Sequence, residues 1–177
     1  MIEVHSKRSK ITKRDTTLKN NTIFLDVTSK STNQYIKFSP FYPHGNIPIP
    51  FSEENRSQTV EGIWQGLKYI ENEGIDESRF HIINMKNIKR KGHVLGHQKG
   101  TSSTTLLSYL EARIEIYIPT YNWILENLLT QLIEEIYHIS KFKDVILLDY
   151  NTNQNIENVN TPLSHAYLIK KYIEEHY

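Results

Sequence analysis

The chain has 177 residues, of which 38% are hydrophobic, 11% aromatic and 23% charged, with a net charge of +1 and no cysteine. That is enough chain to bury a core and too aromatic for a disordered one, and the missing cysteines exclude disulfides, cysteine-held zinc, iron–sulfur clusters and thiol catalysis. No apolar run is long enough to span a bilayer and no signal-peptide pattern opens the chain, so a cytoplasmic protein without a membrane partner is expected.

Residues 1–20 are basic, polar and without periodicity, and read as a mobile arm ahead of a single domain over 21–177. Thr22–Thr28 and Tyr35–Phe38 read as short strands, with a turn at Ser29–Asn33 between them. Four prolines within Ser39–Phe51 forbid a helix or a central strand. Phe41 and Tyr42 on that stiff loop either cover the core or line a ligand site, and the sequence leaves both readings open. Ser52–Gln58 reads as a polar linker. Thr59–Asn72 is predicted helical, with Thr59 as N-cap and Gly74 as the stop; Gly62 and Gly66 mark a face that something approaches closely.

Ile75–Lys91 fits a short helix or a strand equally well. Gly92–Thr105 reads as a loop, and Thr105–Tyr117 as a helix that Pro119 breaks or kinks. Pro119–Ser140 is the longest amphipathic run. Val145–Tyr150 is the best candidate for a buried strand, followed by an Asn-rich loop and a last helix over Pro162–His176.

Charge is uneven despite the near-neutral total. Residues 1–37 hold eight Lys or Arg against three acids, and residues 86–99 hold five and no acid. Such patches fit a phosphate-bearing ligand, a nucleic acid, or two solvated loops.

On a helix Glu61, Gln65 and Lys68 share one face, with Trp64 at its border. A carboxylate in the first turn is favoured by the helix dipole, so Glu61 is expected ionised. The stripe can hold hydroxyls, a water and a phosphate, or be ordinary surface pairing. His93 and His97 stand four apart in a glycine-rich stretch with no acid to complete a metal site, so no metal is expected there. With Lys99 they suit a phosphate instead. The order Lys99-Gly100-Thr101 is not that of a P-loop. Ser164 and His165 are adjacent and no nucleophile elbow is present, which argues against a serine hydrolase. Asp149 ends the best strand and either faces a site or opens a turn.

Phe38-Ser-Pro-Phe-Tyr-Pro43, followed after a polar spacer by Thr59-Val-Glu-Gly-Ile-Trp-Gln-Gly-Leu-Lys68, resembles the NADAR superfamily of riboflavin-intermediate and ADP-ribosyl-guanine N-glycosidases. The resemblance covers residues 38–68. It places the family's catalytic Glu on Glu61, its aromatic on Trp64, and its Gln and Lys on Gln65 and Lys68. Where the family closes with D-x-x-W-G, this chain has Asp149-Tyr-Asn-Thr-Asn and Pro162-Leu-Ser-His-Ala.

The resemblance implies a mainly helical α+β fold and hydrolysis of a ribose C1–N bond without a cofactor. Glu61, Lys68 and Asp149 are the catalytic candidates. Phe41, Tyr42, Trp64, Gln65, Arg90, His97 and Lys99 are the substrate-binding ones. The expected partner is an ADP-ribose- or nucleotide-type small molecule, or ADP-ribosylated nucleic acid. The alternatives are a silent module of the same fold that captures such a ligand and a nucleic-acid-associated variant.

Overall fold

The apolar blocks of the sequence are short, and the computed structural model, which describes residues 1–9 and 21–177, builds an α+β fold from them. In chain order the strands are β1 (Ile2–Ser6), β2 (Thr22–Asp26), β3 (Ile47–Ile49), β4 (Ser52–Ser57), β5 (Lys68–Ile70), β6 (Val94–Gln98), β7 (Leu106–Leu107) and β8 (Asp144–Asp149). The α-helices are α1 (Val60–Gly66), α2 (Tyr109–Ala112), α3 (Ile118–Asn127), α4 (Thr130–Ser140) and α5 (His165–His176). The chain forms two compact units, one of Met1–Ser39 with Leu125–Tyr177 and one of Pro40–Ile124.

The first unit is built on a parallel sheet in the order β1-β8-β2. β8 is the continuous apolar run, and as the middle strand of a parallel sheet it buries Val145, Ile146 and Leu147. It pairs with Ile2 at Val145 on one side and with Ile23 at Val145 on the other. Helices α4 and α5 pack against it, and Ile133, Ile136, Ala166 and Ile169 on them are buried. Ile2–Ser6 is thus a paired strand where the residue pattern reads as an arm; the remainder of that expectation, residues 10–20, lies outside the described residues. Gln34–Phe38 is a 3₁₀ turn rather than a strand. The Asn33 side chain accepts the Tyr35 amide at 3.0 Å and so caps the turn. Tyr35 donates to Glu135 at 2.6 Å; burial and that carboxylate push its phenol up to about 12.

The second unit opens with the proline-rich segment. β3 sits in a two-stranded ribbon with β4, so Pro48 has an edge position, and the register shifts beside it. Ser52–Ser57 is therefore a strand, not a linker. Thr59 caps α1 as expected, accepting the Gly62 amide at 2.7 Å. The helix ends at Gly66, far short of Asn72. Beyond it Lys68–Ile70 becomes β5, because β6 offers a backbone partner: Lys68 pairs with His97 and Tyr69 with Gly96. The stretch read as a glycine-rich loop supplies that middle strand of β5-β6-β7.

Pro119 lacks an amide hydrogen for the Glu115 carbonyl, and its ring crowds that group. The helix does not break there. It widens over Arg113–Tyr117 into a π-helical turn, in which the Ile118 amide reaches the Arg113 carbonyl. Thr120 Oγ1 donates to the Ile116 carbonyl at 2.6 Å.

The two glycines of α1 answer to packing. A Cβ on Gly62 would lie 2.7 Å from the Arg79 carbonyl oxygen, and one on Gly66 would lie 2.2 Å from the Phe80 ring. Phe80 is fully buried and has nowhere to turn. Gly66→Ala gains helix propensity yet forces this contact, so it should lower the unfolding free energy by about 1–3 kcal/mol in denaturant titration. Unchanged stability would mean that the 77–81 turn yields.

Candidate functional site

α1 is short, but it brings Glu61 and Gln65, one turn apart, to one place. The Glu61 amide donates to the Pro40 carbonyl at 2.8 Å, which ties the proline-rich loop to the first turn. Glu61 itself is buried, as is Gln65 one turn later. Gln65 Nε2 donates to Glu61 Oε1 at 2.8 Å. Gln65 Oε1 accepts from Lys68 Nζ at 2.7 Å and from the Arg90 backbone amide at 3.0 Å. With two donors on its oxygen, the amide orientation is fixed by its partners. Lys68 reaches this chain from β5 rather than from the helix, so the predicted triplet assembles although the predicted helix does not.

Burial dominates the electrostatics. It pushes the Glu61 carboxyl above the ordinary carboxylate range, while the hydrogen bond from Gln65 and the charges of Lys89 and Lys68 act the other way without cancelling it. Burial thus works against the ionisation that the helix dipole favours. Desolvation also lowers Lys68, with Glu61 opposing and Arg90 and Lys89 adding to the effect. The two shifts bring the acid and the lysine closer to each other in proton affinity.

An aromatic cluster flanks the chain. The half-buried Trp64 ring lies 3.8 Å from the His97 ring, centre to centre, at 34°. The edges of Tyr109 and Tyr117 meet Trp64 at 5.4 and 5.7 Å. Arg113, buried, lies 5.0 Å over Tyr109. Burial, aided by the charge of Lys68, depresses His97 to about 3, so the ring is neutral. The Trp64 backbone carbonyl opposes this weakly and does not reach hydrogen-bond geometry. A neutral ring does not suit the phosphate role suggested for His97.

The other binding candidates have varied placements. Phe41 follows Pro40 and carries Lys89 Nζ 5.7 Å over its ring. Tyr42 tilts against His44 at 4.9 Å. Arg90 spends its guanidinium on the Lys68 carbonyl at 2.5 Å, the Gly74 carbonyl at 2.9 Å and Glu73 at 3.2 Å, so it braces β5. Lys99 is paired with Glu115 at 2.6 Å and covers Phe51 at 4.6 Å. His93 is exposed, and on strand geometry residues four apart stand roughly 13 Å from each other. Among the described residues no three His, Asp or Glu side chains form a group that could hold a metal. Tyr109, Tyr117 and Lys89 were not singled out from the sequence. The spacing of Tyr109, Arg113 and Tyr117 at four residues was the available signal.

Asp149 belongs to the other unit and has its own partners there. It ends β8 and accepts from Ser164 Oγ at 2.8 Å and from His165 Nδ1 at 3.0 Å. His165 Nε2 meets the Val27 carbonyl at 2.9 Å. Burial raises Asp149, but the His165 charge and the hydrogen bonds from His165, Ser164 and the Ala166 amide outweigh it, leaving the carboxyl below its usual range. Burial lowers His165, and Asp149 outweighs it in turn, leaving the imidazole above its usual range. Both ring nitrogens are engaged as donors, so His165 is no base for Ser164. The arrangement is a buried ion pair that fastens α5 to β8.

A protein-family model described as a family of unknown function (DUF6939) matches residues 6–169, and the chain belongs to that family. No curated protein and no solved structure matches it.

The Asp149–His165 pair should show in the pH dependence of stability. The lowered acid contributes above the ordinary carboxylate range and loses its contribution on acidification; the raised imidazole contributes below about pH 6.5 and loses it as the pH climbs through its raised value. Asp149→Asn should therefore cost most between about pH 4 and 6.5, at about 3–5 kcal/mol, and less on either side. A cost independent of pH in equilibrium unfolding would show that the pair is not ionised.

Proposed function

We propose that this member of the family is an N-glycosidase that hydrolyses a ribose C1–N bond in an ADP-ribose-type or nucleotide-type substrate, with Glu61 as the catalytic carboxyl. The observation that carries the reading is the buried chain Glu61–Gln65–Lys68 lying against the rings of Trp64 and His97. The resemblance of residues 38–68 to the NADAR motifs supports it and brings a NADAR-like, mainly helical α+β description and a cytoplasmic setting with it.

Breaking the C1–N bond leaves positive charge on the ribose and needs a proton on the departing base. Glu61, raised by burial, supplies that proton to the base nitrogen. The carboxylate so formed stabilises the oxocarbenium ion and then takes a proton from the attacking water. Water's hydroxyl joins C1 and Glu61 is restored, so atoms and charge balance. Gln65 orients the Glu61 oxygen, and Lys68 holds Gln65 while keeping positive charge at hand for the carboxylate. Lys89, whose charge acts on Glu61 and whose ammonium lies over Phe41, would meet a substrate phosphate. Asp149, assigned above to its own ion pair, has no step here.

The test is incubation with ADP-ribose, NAD, ADP-ribosylated guanosine and a phosphoribosyl-aminopyrimidine, with chromatography for free base. Glu61→Gln should lower base release about 100-fold or more. It should not cost stability at neutral pH. A carboxyl whose pKa is raised by folding disfavours the fold once ionised, so the variant's melting temperature should match or exceed that of the parent, increasingly so as pH rises. Full release by Glu61→Gln would end this mechanism, and ligand-induced stabilisation without release would identify a capture module.

A further inference from the structure

Among the described residues, the two ring nitrogens of His97 are the buried side-chain polar atoms without a hydrogen-bond partner. Folding leaves such a group unpaired at a cost, and a fold that keeps one has usually kept it for a task. His97 is 1% exposed. It stands opposite Lys68 in the antiparallel register of β5 and β6, so both side chains share one face of the sheet. That is the face carrying the Glu61–Gln65–Lys68 chain. Lys68 from β5, Trp64 from α1 and Tyr109 from α2 face the ring, and the Trp64 backbone approaches its nitrogens without completing a hydrogen bond.

The chemistry of the setting narrows what could meet those nitrogens. A neutral imidazole offers one donor and one acceptor and no charge. A phosphate wants charge, and Lys89 and Lys68 already supply it nearby. A flat heterocycle offers donors and acceptors along its edge and π-faces for Trp64, Tyr109 and Tyr117. The Trp64 indole now covers His97. It is half-buried and is held, among the described residues, by ring contacts rather than by side-chain hydrogen bonds, so it can turn away without breaking a polar interaction.

We infer that His97 reads the leaving nucleobase: Trp64 swings off the imidazole when substrate binds, the base takes its place in the aromatic cluster, and the His97 ring nitrogens hydrogen-bond to the base edge. This rests on the N-glycosidase reading and adds the group that selects the base. His97 thus contributes specificity, while Glu61 carries the proton.

The experiment compares calorimetric binding of the four 5′-mononucleotides and of ribose 5-phosphate to the full chain, to His97→Phe and to His97→Leu. The preferred mononucleotide should bind each variant more than tenfold more weakly, with ribose 5-phosphate within twofold of the parent. Both variants should still fold, since each removes the unpaired polar atoms and keeps an apolar side chain in the buried place. Unchanged mononucleotide affinity, or equal weakening of both ligand types, would overturn the inference and leave the glycosidase reading standing. So would a parent chain that binds ribose 5-phosphate as tightly as any nucleotide, or loss of folding in both variants, which would make the ring nitrogens structural. A parent chain that binds neither ligand type would remove the glycosidase reading itself, and this inference with it.

Discussion

Taking a carboxyl out of water is costly unless its neighbours compensate, and the Pro40–Ile124 unit is arranged around one such case. Glu61 is buried by the packing of a seven-residue helix. A single side-chain hydrogen bond from Gln65 and the charges of two lysines offset part of the cost, and the remainder appears as a raised pKa. Everything near it serves this compromise. Pro40 accepts its amide, Arg90 turns its own backbone amide to Gln65, and the Arg90 guanidinium ties down the strand that presents Lys68. That partial compensation underlies the acid role proposed for Glu61.

The Asp149–His165 pair solves the same problem in the opposite way. Its acid accepts from a hydroxyl, an imidazole and a backbone amide, and the imidazole's other nitrogen meets a carbonyl. Those partners outweigh burial, so the acid moves down and the imidazole up. The contrast between the two buried acids is one of partner number, with no appeal to the residue types involved. His97 extends the comparison: a buried titratable ring with no partner becomes neutral and keeps its hydrogen-bonding capacity unspent.

Local signals in the sequence were most legible where one short-range interaction decides the conformation. Thr59 caps α1 through a hydroxyl three residues from its target, and β8 is a continuous apolar run of a length only a strand explains. The polar triplet of Glu61, Gln65 and Lys68 was legible as a set for a related reason. Gln65 lies one helical turn from Glu61, and Lys68 follows so soon that its long side chain returns to Gln65 whether the backbone is helix or strand. Less legible were the helix end at Gly66 and the strand at Val94–Gln98. The apolar spacing of Leu67 and Ile70 fits a helix as well as it fits β5. What breaks the tie is a partner strand some 25 residues later in the chain, which no local window contains. Tyr35–Phe38 failed in the other direction, because a capping bond from Asn33 outweighed a run of strand-forming residues too short to insist.

By itself, then, the sequence determined the N-cap at Thr59, the apolar core strand, the absence of cysteine chemistry and the closeness of Glu61, Gln65 and Lys68. Only the tertiary structure decided how those residues are charged and which are free to act. Protonation depends on burial and on partners that arrive from distant segments: β6 places His97 opposite Lys68, and the start of α5 brings Ser164 and His165 to Asp149. Charge in a folded protein is set by three-dimensional neighbours, and adjacency in sequence records few of them.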